Sequence, residues 1–210
     1  MFVQRAIVII LVVSVKICST QVLLFGKCVE VETMKYFNID NFLGKWYEIQ
    51  RYPAWYEKHG HCPYKRIQAC GRRIEVEHGY VKDGIQFILH VNSTYAPGDE
   101  AVLNFEENNI DPVGIPMTVI STDYTNYALV YGCKYKENVD LKYFAAWILS
   151  REPTLSDELL QKTRDELNSI PYASVAYLET VGHEKCDFHW TAHVHAVNVS
   201  GEDESRKNGE

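Results

Sequence analysis

Between residues 45 and 149 the chain falls into about eight short strand-like runs, with no helix-length segment between any two of them. The runs are 45–52, 64–69, 73–80, 85–95, 101–105, 115–120, 127–134 and 142–149. Parallel strands need long crossovers, usually helices, so this spacing excludes a doubly wound α/β design and points to antiparallel neighbours. Turn signals agree. Lys82-Asp83-Gly84 is a tight hairpin, Pro97-Gly98-Asp99 a second turn, and residues 108–116, with Asp111-Pro112 and Gly114, a looser loop. Alternation is clearest where Ile85, Phe87, Leu89 and Val91 interleave with Gln86 and His90. The fold class is therefore all-β, an eight-stranded antiparallel up-and-down barrel. A barrel of that size is just wide enough to hold one small ligand.

The flanks follow from the same rules. Residues 38–56 read NIDNFLGKWYEIQRYPAWY. Asn38 can cap a short helical turn, Asp40 favours its N-terminus, Gly44 breaks it, and Pro53 stops the strand that follows. That order sets a helical plug, with Trp46 as its floor, at one barrel end. Residues 21–36 read as an extended arm. Residues 153–168 form the one long helix, capped by Thr154 or Ser156, with Leu155, Leu159, Leu160 and Leu167 as its apolar stripe against the outside of the barrel. Residues 173–178 read as a last short strand.

Residues 1–20 read as a secretory signal peptide: Arg5, an apolar run at 6–15, then Ser19 and Thr20. The domain is expected over 21–188, and 189–210 as a flexible polar tail. A formal charge of -7 argues against nucleic acid as a partner. No later stretch is long enough for a membrane-spanning helix. Of six cysteines, Cys18 goes with the leader, leaving Cys28, Cys62, Cys70, Cys133 and Cys186. In a secreted chain these favour disulfides over metal. Spacing does not state which cysteines pair, but Cys62 and Cys70 cannot pair within one extended run, where they lie beyond disulfide reach. Asn92 and Asn198 head glycosylation acceptors. His189, His193 and His195 could chelate a metal weakly, but a polar tail is the simpler reading, and no metal is expected. No G-x-S-x-G or H-E-x-x-H motif is present, and the chain is expected not to be an enzyme.

Three segments together resemble the lipocalin family. Gly44, Lys45 and Trp46 match its G-x-W signature, STDYTNY at 121–127 its T-D-Y signature, and WILSR at 147–151 its strand ending in Arg. The likeness covers roughly 28–186. YEIQRYPAWYEKHGHC and TDYTNYALVYGCKY are closer still to the group of bilin-binding protein and insecticyanin, with apolipoprotein D and Lazarillo as near relatives.

The resemblance implies bridges Cys28–Cys133 and Cys62–Cys186, which leaves Cys70 single, as a buried thiol or a site for linking to a partner. It also implies a structural floor of Gly44, Trp46, Asp123, Tyr124 and Arg151, with the Arg packed over the Trp. It further implies a secreted carrier of a small hydrophobic molecule, a biliverdin-like bilin first, with retinoid, sterol or fatty acid next, and no required cofactor. The wall candidates are Ile74, Val76, Phe87, Leu89, Val91, Leu103, Phe105, Met117, Val119, Ala128, Val130, Ala145, Trp147 and Leu149. Tyr127, Leu129 and Tyr131 face inward instead if the register of the late strands slips by one. Trp55, Tyr56, Lys58 and His59 form the mouth loop, and Tyr95 another rim. Lys58, Arg66 and Lys82 are candidate cations for ligand carboxylates. Two alternatives stand beside the carrier. One is an extracellular signalling lipocalin with a side-chain-filled cup and a cell-surface receptor. The other is an enzyme acting on lipid through Cys70.

Overall fold

The computed structural model describes residues 21–198 apart from 55, 57–59, 72 and 97. The leader expected at 1–20 and the end at 199–210 lie outside the described residues. The chain opens with β1 (Val22–Phe25) and the short helix α1 (Ile39–Phe42). The barrel strands follow: β2 (Gly44–Arg51), β3 (His61–Cys70), β4 (Arg73–Lys82), β5 (Ile85–Ala96), β6 (Asp99–Phe105), β7 (Met117–Thr122), β8 (Tyr127–Lys136) and β9 (Leu141–Ser150). Each pairs antiparallel with the next, and β9 returns to β2 through Tyr47 opposite Ser150 and Arg51 opposite Trp147. The eight-stranded antiparallel barrel read from the sequence is the observed architecture. The β4–β5 hairpin turns on Asp83 and Gly84, both at positive φ (52° and 74°), the backbone that a two-residue primed turn requires.

Side-chain alternation divides the core in two. Inside the barrel lie Trp46, Ile67, Val76, Met117, Val119, Ala128, Val130 and Leu149. On the outer face, Leu129, Tyr131, Phe144 and Ile148 pack beneath α2 (Asp157–Ser169), which contributes Leu167. Tyr127 also faces outward, its hydroxyl accepting from Lys162 of α2 at 2.6 Å. The register therefore puts Ala128 and Val130 inside, and the slipped alternative does not hold. The helix begins later than the expected 153. Ser156 takes the cap, accepting from the Leu159 N–H at 3.3 Å, and a cap residue keeps extended backbone.

The closed end is a knot of hydrogen bonds around one cation. Arg151 sits 3.7 Å from the centre of the Trp46 ring, and Trp46 is fully buried. Its guanidinium donates to the carbonyls of Tyr124, Lys45 and Asn41 at 3.0, 2.9 and 3.0 Å. Gly44 bends beneath it at φ +100°, and a Cβ there would lie 3.3 Å from Arg151 Nη1. Asn38 caps α1 as expected, accepting from the Asn41 N–H at 3.1 Å. Trp46 Nε1 donates to the Phe42 carbonyl at 2.9 Å, tying plug to floor. Asp123 organises the adjoining turn. Partial burial pushes its carboxyl up, but hydrogen bonds from the Asn126 side chain and the N–H groups of Asn126, Tyr127 and Thr125 outweigh that and hold it below the usual carboxylate range.

The mouth half is completed by pieces from outside the eight strands. β5 pairs with β6 only from Ser93 onward, so its first half needs another neighbour. β11 (Trp190–His195) supplies it, running parallel to β5 with Trp190 opposite Ile85 and His195 opposite His90. The expectation of a flexible tail from His189 is thus corrected for 190–195. Val194 and Ala196 pack against the cluster of Tyr80, Leu89, Val91 and Ile110. The burial of these apolar residues and the vacant ladder of β5 together order the segment. β1 likewise pairs with the first residues of β9, and β10 (Glu179–Thr180) with Arg51 and Gln50 of β2. The strand expected at 173–178 is instead a 3-10 turn, Val175–Tyr177, because Ser174 caps it by accepting from the Ala176 N–H.

Both implied disulfides are present, Cys28–Cys133 and Cys62–Cys186, with Cα atoms 6.0 and 5.7 Å apart. They pin the segments that carry β1, β10 and β11. Cys70 is single, as expected, but exposed and not buried, since it ends β3 at the tip of the β3–β4 hairpin. Each bridge closes a loop of over a hundred residues, 105 and 124 in sequence separation. Replacing either pair by Ser should therefore cost roughly 2–5 kcal/mol in denaturant unfolding, whereas Cys70→Ser should stay within about 0.5 kcal/mol of the parent.

Candidate functional site: the barrel cup

The open end of the barrel leads into a cavity lined by Tyr52, Tyr56, His78, Val91, Phe105, Ile110, Met117, Ala145 and Trp147, with Gln21, Pro53, Ala54, Asp111 and Ile115 at its edges. Its envelope, opening included, is about 590 Å³, but only about 30 Å³ of that is free for the centres of water-sized molecules. Below it the interior is filled. Val119, Ala128, Val130 and Leu149 pack on one another and on Trp46 near the floor.

A buried ionic cluster lies behind one wall of the cup and reaches the cavity through His78. Glu48, Arg51, Lys65 and His78 are all buried, Glu48 and Lys65 completely. Glu48 and Lys65 occupy the inward positions next to Trp46 and Ile67 on their strands. Arg51 reaches the same face because the register of β2 shifts between Glu48 and Gln50, a bulge that re-aims the side chain. Lys65 Nζ lies 2.7 Å from Glu48 Oε1, 2.8 Å from His78 Nδ1 and 4.4 Å from the centre of the Trp147 ring. Arg51 Nη1 donates to Glu48 Oε2 at 3.0 Å. An ammonium group can only donate, so His78 accepts at Nδ1 and carries its proton on Nε2. The Tyr56 ring meets His78 edge-on, with centroids 5.4 Å apart. Burying such charges costs several kcal/mol each, which their pairing must offset. A few fixed polar groups in an apolar cavity are what orients a ligand.

Of the wall residues expected from the sequence, Val91, Phe105, Met117, Ala145 and Trp147 line the cavity, and Tyr56 stands at its mouth. Ile74, Val76, Leu103, Val119, Ala128, Val130 and Leu149 belong to the filled interior. Phe87 and Leu89 pack in the cluster that β11 covers, and Phe87 stacks on Tyr80 at 5.3 Å. Tyr95 lies near the end of β5 at the closed end and packs on the interior, so it is not at the mouth. Trp55, Lys58 and His59 lie outside the described residues. Arg66 faces outward, 3.4 Å from Glu77, because it alternates with the inward Lys65. Sequence reasoning missed Glu48, Arg51, Lys65 and His78. Strand parity carried the signal for Glu48, Lys65 and His78, which share a face with Trp46, Ile67 and Val76. The bulge hid Arg51.

The comparisons with known proteins agree with this geometry. A model of the lipocalin / cytosolic fatty-acid binding protein family matches residues 43–182. Bilin-binding protein of Pieris brassicae is 29% identical over 172 residues, covering 80% of this chain and 88% of that one. Apolipoprotein D of Cavia porcellus is 31% identical over 150 residues, covering 69% and 77%. The crystal structure of insecticyanin from Manduca sexta superimposes with a TM-score of 0.70 at 22% identity, over 84% of this chain and 97% of that one. Lobster apocrustacyanin A1 gives 0.64 at 21%, over 80% and 93%.

The ionic cluster makes a direct prediction. Glu48→Leu should destabilise the protein by about 3–5 kcal/mol, because it leaves buried cations without their carboxylate. Adding Lys65→Met should recover part of that loss, a coupling that a double-mutant cycle in urea measures.

Proposed function

The chain belongs to the lipocalin family, and on that footing we propose that it is a secreted carrier of one small hydrophobic molecule, held in the upper cup. The observation that carries this reading is the apolar cavity at the barrel mouth, with His78 in its lining and a buried ionic cluster behind it. The ligand's apolar body would lie against Phe105, Ile110 and Met117. Its polar end would meet the indole of Trp147, whose buried Nε1–H has no hydrogen-bond partner among the described residues. A carbonyl or carboxylate on the ligand would supply the missing acceptor.

A biliverdin-like bilin is the first candidate, because bilin-binding protein is among the chain's relatives. Retinoid, sterol and fatty acid follow, since ligand choice drifts readily within one fold. Two disulfides and the leader-like residues 1–20 support secretion. Among the described residues no helix is long and apolar enough to cross a membrane. Asn92 is exposed on β5, where a glycan would meet solvent. The route to an enzyme through a pocket thiol loses its support, because Cys70 is exposed at the closed end, away from the cup.

One observation favours a second reading, a signalling lipocalin whose cup is filled by its own side chains. The free space of about 30 Å³ is well below the several hundred that ligand pockets offer, so any sizeable ligand must move the mouth side chains.

Titration of the purified protein with biliverdin, retinol and a long-chain fatty acid separates the two. The carrier reading expects saturable quenching of tryptophan fluorescence at one equivalent of at least one of them, and a visible band for the bilin. Trp147→Phe should weaken that binding about tenfold, the value of one hydrogen bond. No quenching by any of the three, with no small molecule extracted from the native protein by mass spectrometry, would overturn it in favour of the filled cup.

A further inference from the structure

We propose that the outer face of the barrel wall carries a site for one divalent transition-metal ion of the zinc class, built by His90 of β5 with His193 and His195 of β11. The register makes it. Val194 lies opposite Leu89 and packs with it on the apolar side, so alternation turns His90, His193 and His195 to the other face. There the rings gather. The centroids of His193 and His195 lie 5.2 and 4.4 Å from that of His90.

Two of the nitrogens already stand near ligand spacing, whereas the His195 ring stacks face-on against His90 and must swing to bring a nitrogen to the ion. His90 Nε2 and His193 Nδ1 are 2.9 Å apart. Two imidazole nitrogens bound to one tetrahedral zinc at its usual bond length sit about 3.3 Å apart, so the pair needs to open by only a few tenths of an ångström. On its far side, His90 Nδ1 lies 2.6 Å from Glu75 Oε1. Its N–H donates to that carboxylate, which fixes the tautomer and leaves Nε2 to bind. A carboxylate behind a histidine is the usual support of a metal-bound imidazole. Glu77 Oε1 stands 3.9 Å from the same nitrogen, but Glu77 is also held by Arg66 at 3.4 Å and by Gln68 at 3.0 Å. It adds negative field and is not a primary ligand. Imidazole donors suit zinc or copper better than calcium or magnesium.

The site joins two strands that are far apart in sequence, and none of its residues lines the cup. An ion there would fasten β11, the strand that completes the mouth half of the wall. The inference does not rest on the identity of any ligand in the cup.

The test uses the full-length, untagged protein stripped of metal. Calorimetry with zinc should show one ion per chain with micromolar or tighter affinity, and cobalt should give the visible bands of a tetrahedral site. His90→Ala and His193→Ala should each weaken binding at least tenfold, and Glu75→Gln about tenfold. Histidine-ring NMR of the unaltered protein guards against variants that misfold, since zinc should shift the His90 and His193 signals first. Absence of saturable binding, binding unchanged in both His→Ala variants, or zinc shifts confined to other histidines would overturn the proposal.

Discussion

Eight strands close this barrel at its floor but do not by themselves close it at its mouth. The constraint is the backbone: N–H and C=O groups on a strand edge must find partners or stay in water. β6 leaves β5 before residue 93, and the first residues of β9 lie beyond the end of β2. Three short segments fill these edges, β1 against β9, β10 against β2 and β11 against β5. Each comes from outside the run of eight strands. Two disulfides then hold the segments that carry them, which is why the bridges join the chain's flanks to the barrel wall.

The two ends of the barrel are therefore built on different principles. The floor is local and dense, with Arg151 bonded to three carbonyls over the Trp46 ring. The mouth is assembled from distant pieces of chain around an apolar cavity whose His78 is backed by the buried Lys65 and Glu48. Sheet positions with long-range partners and little surrounding core open at lower free energy than a packed floor. A carrier needs that difference, because a ligand must enter where the wall yields while the floor stays shut.

The strands and the helical plug were legible because short-range rules govern them. Alternation at Ile85 to Val91, the Asp83-Gly84 turn and the Asn38 cap each act within a few residues. The Arg151–Trp46 contact and the disulfide pairing came from family likeness, since neither spacing nor periodicity states which distant residues meet. The ionic cluster was hidden because charged residues in a strand usually face water, and only parity with Trp46 and Ile67 puts Glu48 and Lys65 inside. The bulge in β2 then reverses parity before Arg51, which no alternation count anticipates. β11 was missed for the same physical reason. Its residues are polar enough to read as a tail, and the vacancy on β5 that orders them exists only in the assembled barrel.

Hydrogen exchange on the intact chain and on one ended after Asp187, which keeps both disulfides, tests most directly whether the mouth wall depends on its added strands. Loss of β11 should raise exchange at residues 85–90 of β5, with β7 and the floor around Trp46 left at full protection. Unchanged protection at 85–90, or a uniform loss across the whole barrel, would contradict the view that the C-terminal strand completes the mouth half of the wall.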